Sequence, residues 1–337
     1  MTPATSAPDR PARRILSIDG GGIKGTMPAS FLASLEEDLE RPIGEYFDLI
    51  AGTSTGGILA IGLAMGIPAR QLLDLYVHRG PAIFGQSGGS WANRLSRRWR
   101  SVKHFFAAKH DATDLRTELD RVLGGSRIGD ARTRLLVPSW DPDHRGVYIF
   151  KTAHHPRLKN DYRRLAVDAA MATAAAPTYF RRHRTTDEIG LTDGGTWSNN
   201  PIALAVVEAI TLLGWSRSDL QVLSLGCGEE VYMIGEAPGW GSLATDVSRL
   251  FMDGQSHGAM GIAKLLTGHQ HEREAIFRCC PYVPKNFFRL DDTRKITQLR
   301  GMGAAAARKE RPRLEPVFFT APAESFHPVY ELKEVQA

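Results

Sequence analysis

Ser54 sits in Gly52-Thr53-Ser54-Thr55-Gly56, a Gly-x-Ser-x-Gly run. A serine in that pattern acts as a nucleophile when a strand precedes it and a helix follows, because small flanking residues let the turn lift Oγ above the sheet edge. Residues 46–51 read as the strand, and the apolar, Gly-punctuated stretch to about Met65 reads as a buried helix. The helix N-terminus beneath Ser54 would favour developing negative charge. A second glycine run, Gly20-Gly21-Gly22-Ile23-Lys24-Gly25, follows a short strand at 14–18. It admits two chemistries. As successive flexible backbones at a helix N-terminus it makes an oxyanion hole; as Gly-x-Gly-x-x-Gly it resembles a dinucleotide fingerprint. The second needs an acid closing the next strand about twenty residues on, whereas Glu36, Glu37 and Glu40 fall in the first helix. The third piece is Asp193, in Thr192-Asp193-Gly194-Gly195 behind a strand at 189–192. A carboxylate there could take the proton of Ser54 as general base, although alone the tetrapeptide is an ordinary turn.

These residues need a scaffold, and the pattern supplies one. Pro28 falls in the first turn of a helix carrying Phe31, Leu32, Leu35 and Leu39 at helical spacing. Strand, glycine turn and helix thus occur twice in about fifty residues, the rhythm of a parallel sheet with right-handed crossovers. Further strands are expected at 134–138, 147–151, 189–192 and 221–225, with helices at 71–78, 113–123, 165–174 and 202–213. Beyond about 227 the pattern loosens into a Gly-rich 235–241, a mixed 243–278, a strand-like 287–290 and an Ala-rich helix at 303–309. The expected organisation is a mobile tail at 1–12, a catalytic domain at 13–226 and an extension at 227–337 packed on it.

Taken together, Asp19-Gly20-Gly21-Gly22-x-Lys24-Gly25, Gly-x-Ser-x-Gly and Asp193-Gly194-Gly195 resemble the patatin-like phospholipases. The resemblance runs over about 14–226 and takes in Ala174-Ala-Ala-Pro-Thr-Tyr-Phe180 and Asp193-Gly-Gly-Thr-Trp-Ser-Asn-Asn-Pro201. It implies an α/β, three-layer fold with a mostly parallel central sheet, a nucleophile elbow and a Gly-rich oxyanion loop. It implies a Ser–Asp dyad hydrolysing lipid acyl esters without metal or cofactor: Ser54 as nucleophile, Asp193 as base, and Gly20, Gly21 and Gly22 as oxyanion donors. Lys24, Gly25, Gly52, Gly56, Gly194 and Gly195 support the motifs.

The chain has 337 residues, 42% hydrophobic and 23% charged, which excludes a disordered chain and fits one large α/β domain or one with an appended subdomain. No apolar run approaches the roughly 18 residues of a spanning helix. Pro and Arg stand where a leader's apolar segment would be, so no signal peptide is expected. Of the three cysteines, Cys279 and Cys280 are adjacent and Cys227 is apart, which fits a reduced, cytoplasmic protein. His269-x-His271 with Cys279-Cys280 lacks metal-site spacing. Net charge is +5, and 32 of the 42 basic residues are Arg, which suits an anionic partner through the planar guanidinium fork. From Leu75 to His110 there is no acid; Trp91, Leu95, Trp99, Val102 and Phe106 share one helical stripe, with Arg94, Arg97, Arg98 and Arg100 around it. That pattern suits a lipid surface, and equally a core-facing helix with a solvated Arg face.

The run 46–57 with Gly80-Pro-Ala-Ile-Phe84 resembles the bacterial patatin-like effectors of cyclic-oligonucleotide anti-phage signalling, CBASS. That resemblance implies a cyclic dinucleotide activator, degradation of the cell's own membrane from its inner face, and a ligand-dependent homo-oligomer, without DNA or RNA. Candidate nucleotide contacts are His257, Lys264, His269, Arg273, Arg278, Lys285, Arg289 and Arg294. A constitutive bacterial lipid acyl hydrolase shares every catalytic motif. A non-catalytic lipid- or nucleotide-binding module is disfavoured by the intact Ser54 and Asp193.

Overall fold

The computed structural model describes residues 12–83, 112–231, 240–284 and 291–332. Its strands are β1 (Arg13–Ile18), β2 (Leu49–Gly52), β3 (Arg134–Asp141), β4 (Gly146–Lys151), β5 (His183–Arg184), β6 (Gly190–Asp193), β7 (Leu220–Leu225), β8 (Glu229–Val231), β9 (Ile276–Cys279) and β10 (Tyr282–Pro284). Eight of them form one sheet in the order β5-β6-β3-β2-β1-β7-β9, with β4 also on β3, and β8 pairs β10 separately. The run β3-β2-β1-β7-β9 is parallel throughout. β4 and β6 lie antiparallel to β3. The helices are α1 (Thr26–Glu36), α2 (Thr55–Ala64), α3 (Ala69–Asp74), α4 (Gly80–Ile83), α5 (Thr113–Leu123), α6 (Ala166–Thr173), α7 (Ile202–Thr211), α8 (Trp240–Thr267) and α9 (Ile296–Phe318).

Parallel strands buried on both faces read as apolar runs, and their side chains alternate between two cores. Leu16, Ile18, Ile50, Leu223 and Leu225 join Phe31 of α1, Leu59 of α2, Met171 of α6 and Leu299 of α9. Ile15, Leu49, Ala51, Leu220 and Val222 join Ile202 and Val206 of α7 and Ala263 of α8. Helices therefore cover both sheet faces, the three-layer arrangement expected.

Several elements differ from their sequence pattern. The strand expected at 46–51 begins at Leu49, after a 3₁₀ turn at Ile43–Tyr46. The helix expected at 71–78 is α3 followed by a π-helical turn, Leu75–Arg79. Most of the mixed segment 243–278 is the 28-residue α8 followed by β9. Gly241, Gly254, Gly258 and Gly261 each cost a helix about 1 kcal/mol relative to Ala, and packing of Ala259, Met260, Ala263 and Leu266 against the α7 side of the sheet outweighs them. The Ala-rich 303–309 is the middle of α9, which carries Pro312 and Pro316 within it.

The division at 226 does not interrupt the sheet. β9, from beyond that point, pairs with β7 from Val222↔Ile276 to Leu225↔Cys279. Phe318 at the end of α9 is fully buried and packs 5.9 Å from Phe47 and 5.3 Å from Phe277, ring centre to ring centre. The Arg14 guanidinium of β1 donates to the Phe318 carbonyl at 2.8 Å, satisfying a backbone acceptor at the helix end. The described parts of 13–226 and 227–332 thus share one sheet and one core.

Candidate active site

The crossovers bring the loops after β1 and β2 to the carboxyl edge of the parallel strands, where open α/β sheets bind ligands. Ser54 follows β2 with φ 55° and ψ −124°, a backbone region that non-glycine residues occupy only when their surroundings force it. The forcing contacts are explicit. The Ser54 amide donates to Thr173 Oγ1 at 3.0 Å, and Thr173 Oγ1 donates to the Pro138 carbonyl at 2.6 Å. Thr53 Oγ1 donates to the Ser198 carbonyl at 2.7 Å. The flanking glycines allow close approach: a Cβ on Gly52 would lie 2.1 Å from the Gly56 oxygen, and one on Gly56 would lie 2.4 Å from the Ile18 oxygen. Hence the elbow can fold only with glycine at both positions.

Asp193 ends β6, whose register places it opposite Ser139 of β3. Ser54 Oγ donates to Asp193 Oδ2 at 2.7 Å, and the Gly195 amide donates to Oδ1 at 2.6 Å. Each carboxylate oxygen therefore accepts one donor. The side chain is buried, and burial pushes its pKa up to about 6 against the lowering effect of those two donors. Such a group remains ionised at neutral pH yet is a stronger base than a solvated aspartate. Gly194 supports the turn, since a Cβ there would meet the Pro138 oxygen at 2.3 Å.

The glycine loop departs from the expected trio of donors. The Gly20 amide donates to the Asn199 carbonyl at 3.0 Å, so it is committed to the loop that carries Asp193. Gly21 and Gly22 line the same cavity as Ser54, and among the described residues neither amide donates to another loop carbonyl. Gly22 takes φ +58°, open to glycine, at the start of the 3₁₀ turn that holds Lys24 and Gly25. A Cβ on Gly25 would meet Thr55 Cβ at 2.9 Å, which fixes the loop against the elbow.

The cavity encloses about 620 Å³. Ser54, Asp193, Gly21 and Gly22 meet Ile58, Leu75, Ile83, Leu115, Phe180, Phe251 and Met252 in its wall, so a small polar group faces a largely apolar lining. The π-helical turn contributes Leu75 and Tyr76; the Tyr76 hydroxyl donates to the Thr55 carbonyl at 2.9 Å.

Three residues that hold the site carry no motif signal. Thr173 is the hydroxyl in the alanine-rich 169–176, a polar side chain in a fully buried helix, and that contrast is the clue it offers. Gln255 of α8 accepts the Asn199 amide at 2.6 Å, and neighbouring Ser256 accepts from Asn200 Nδ2 at 3.2 Å. Their discovery needs α8 to be recognised as a helix.

The expected nucleotide contacts do not form one cluster among the described residues. His269 is buried, with Nδ1 accepting the Ala275 and Ile276 amides at 3.1 Å each, and Arg273 donates to the Ser218 carbonyl. Arg278 is paired with Asp19, and Arg294 with Asp292. His257 lies 3.4 Å from Glu229, and Lys264 is partly exposed on α8. Lys285 and Arg289 lie outside the described residues, as do Trp91, Arg94, Arg97, Arg98, Trp99 and Arg100. Among the described residues no helix is long and apolar enough to cross a membrane.

Known proteins resemble this chain in sequence. The chain is 41% identical over 217 residues to a cGAMP-activated phospholipase of Pseudomonas aeruginosa, covering 64% of this chain and 62% of that one. It is 34% identical over 245 residues to a cGAMP-activated phospholipase of Escherichia coli, covering 68% and 66%. Patatin-like protein 2 of Arabidopsis thaliana matches at 34% over 268 residues, covering 68% and 64%. The chain thus spans a little under two thirds of the length of these relatives. The family model described as patatin-like phospholipase matches residues 16–206, from β1 through the elbow and Asp193 into α7, and the chain belongs to that family.

Proposed function

We propose that this protein is a serine lipid acyl hydrolase that cleaves phospholipid acyl esters with the Ser54–Asp193 dyad. The observation that carries the reading is the 2.7 Å hydrogen bond between these side chains in the wall of an apolar cavity. Asp193 takes the hydroxyl proton as Ser54 Oγ attacks the ester carbonyl. The carbonyl oxygen becomes an oxyanion received by the Gly21 and Gly22 amides. Asp193 returns its proton to the departing alcohol, leaving an acyl-serine, and then activates the water that releases the fatty acid. No metal is required, since the charge that develops is met by amides and the proton by one carboxylate.

The membrane is the proposed source of substrate. Phe251 lines the cavity and is 70% exposed, so it stands at the rim. On the same helix Ile262 and Leu265 are 50% and 73% exposed. Positions 251, 254, 258, 261 and 265 share one helical face carrying Phe, three Gly and Leu, with no charge. An uncharged apolar face running from the cavity rim suits the acyl region of a bilayer.

Activation by a cyclic dinucleotide is supported by the relatives named cGAMP-activated phospholipases; a role as an anti-phage effector that degrades the cell's own membrane as a homo-oligomer follows only from the resemblance of 46–57 and 80–84 to the CBASS effectors. The test is fatty-acid release from phospholipid vesicles with and without a panel of cyclic dinucleotides, using wild type and Ser54→Ala, with light scattering of the same samples. Expected are release only with one of the nucleotides, an increase in mass on its addition, and none with Ser54→Ala. Full release without any nucleotide selects a constitutive hydrolase instead; equal release by Ser54→Ala removes the dyad.

A further inference from the structure

The turn after β1 begins with a buried carboxylate that the reaction does not use. Asp19 directly precedes Gly20-Gly21-Gly22, and its carboxylate is gripped by both ends of one guanidinium: Arg278 Nη1 to Oδ1 at 2.9 Å and Nη2 to Oδ2 at 2.6 Å. Arg278 comes from β9, two strands away across β7, and Nη1 also donates to Ser224 Oγ of β7 at 2.9 Å. The Asp19 backbone is held as well. Its amide donates to the Leu225 carbonyl at 2.9 Å, and its carbonyl accepts the Cys227 thiol at 3.4 Å. The glycines beside it have no slack: a Cβ on Gly21 would lie 2.4 Å from Cys227 Cβ.

We propose that Arg278 is a positioning residue for the hydrolysis, clamping and neutralising Asp19 so that the Gly21 and Gly22 amides stay aimed at the oxygen that becomes negative. This rests on the dyad reading above. The electrostatic reason is simple. Negative charge develops on the oxyanion in the transition state, and an uncompensated carboxylate at the root of the donor loop would repel it through a poorly screened interior. A bidentate guanidinium removes that repulsion and fixes the carboxylate plane together. Burial acts in the same direction, pushing the Asp19 carboxyl above its ordinary range against the pull of Arg278. Arg278 lies beyond the residues that the family model matches, in the region where the sequence pattern loosens.

A brace that only held β9 to β1 would change the melting temperature and leave turnover per folded molecule alone. A positioning role changes kcat at nearly constant KM. The experiment compares wild type, Arg278→Gln, Arg278→Lys, the double variant Asp19→Asn/Arg278→Gln, and Ser54→Ala on soluble p-nitrophenyl butyrate in the presence of the cyclic dinucleotide that gives the highest wild-type turnover, with circular dichroism and melting of each. Arg278→Gln is expected to lose about 10²-fold in kcat, about 2.7 kcal/mol of barrier, with KM within about threefold. The double variant, lacking both charges, is expected to recover at least tenfold of that loss. A folded Arg278→Gln with wild-type kcat overturns the proposal while Ser54→Ala, still inactive, leaves the dyad standing. A double variant no faster than the single one also overturns it. Should Arg278→Gln fail to fold, Arg278→Lys decides: it keeps the charge and loses the fork, so reduced kcat at constant KM supports the proposal and wild-type kcat overturns it. Wild-type turnover by Ser54→Ala overturns the dyad and the proposal together.

Discussion

Asp193 gains its basicity from burial, and burial has a second effect on the same carboxylate. A group whose pKa is raised in the fold, here to about 6 from 3.8, binds more protons folded than unfolded between those values. Stability contributed through it therefore falls as pH rises from about 4 to about 6, and the loss persists above. Asp193→Asn removes the buried charge and keeps both hydrogen bonds, since an amide can donate to Ser54 Oγ and accept from Gly195. We expect this variant to lose at least ~10³-fold in kcat yet to be more stable than wild type at pH 8 by about 2–3 kcal/mol, with the difference vanishing near pH 4. Paired melting curves at the two pH values check it. Wild-type kcat/KM should fall as pH drops through about 6, because the protonated acid cannot act as a base. The meeting of Ser54 and Asp193 was legible in the sequence because their types and order are those the proposed chemistry dictates. The commitment of the Gly20 amide to Asn199 was not, since it depends on a loop some 180 residues away that only the sheet brings near.

Among the elements, α8 is where pattern and structure part most clearly. Its glycines break the helical signal, and its apolar residues divide between a buried side, with Ala263 and Leu266, and an exposed side, with Phe251, Ile262 and Leu265. A helix that serves two surfaces has no single hydrophobic stripe to read. Its polar residues Gln255 and Ser256 hold the Asn199–Asn200 segment, so one helix links the exposed apolar face to the loop that follows Asp193. The Ile262→Ser/Leu265→Ser variant should bind phospholipid vesicles at least tenfold more weakly in a sedimentation assay, with turnover of a soluble ester within twofold of wild type. Equal vesicle binding would assign membrane contact to another surface. By contrast β1 and α2 were legible almost to the residue, because a strand buried on both faces and a helix buried all round leave uninterrupted apolar runs.

At the scale of the molecule, the core is closed by its last helix. Phe318 is fully buried among Phe47, Phe277 and Phe319, and Phe318→Ala should cost about 3–5 kcal/mol, measured as a lowered midpoint in urea. The parallel sheet was legible from the alternation of strand, glycine turn and helix, and its three layers from the family resemblance. The sharing of the core with residues beyond 226 was not, because β9 is four residues long and gains its identity from β7 beside it. The strand order has a consequence for synthesis. β1 leaves the ribosome among the first elements, and β7, its partner on one side, follows about two hundred residues later. Contacts so distant in sequence form slowly, and domains fold as the chain emerges. A nascent chain arrested before residue 270 holds Ser54 and Asp193 but neither β9 nor Arg278, so its glycine loop has no clamp. Such a chain should resist fluorophosphonate labelling at Ser54 until release, which would keep the proposed hydrolase silent throughout translation.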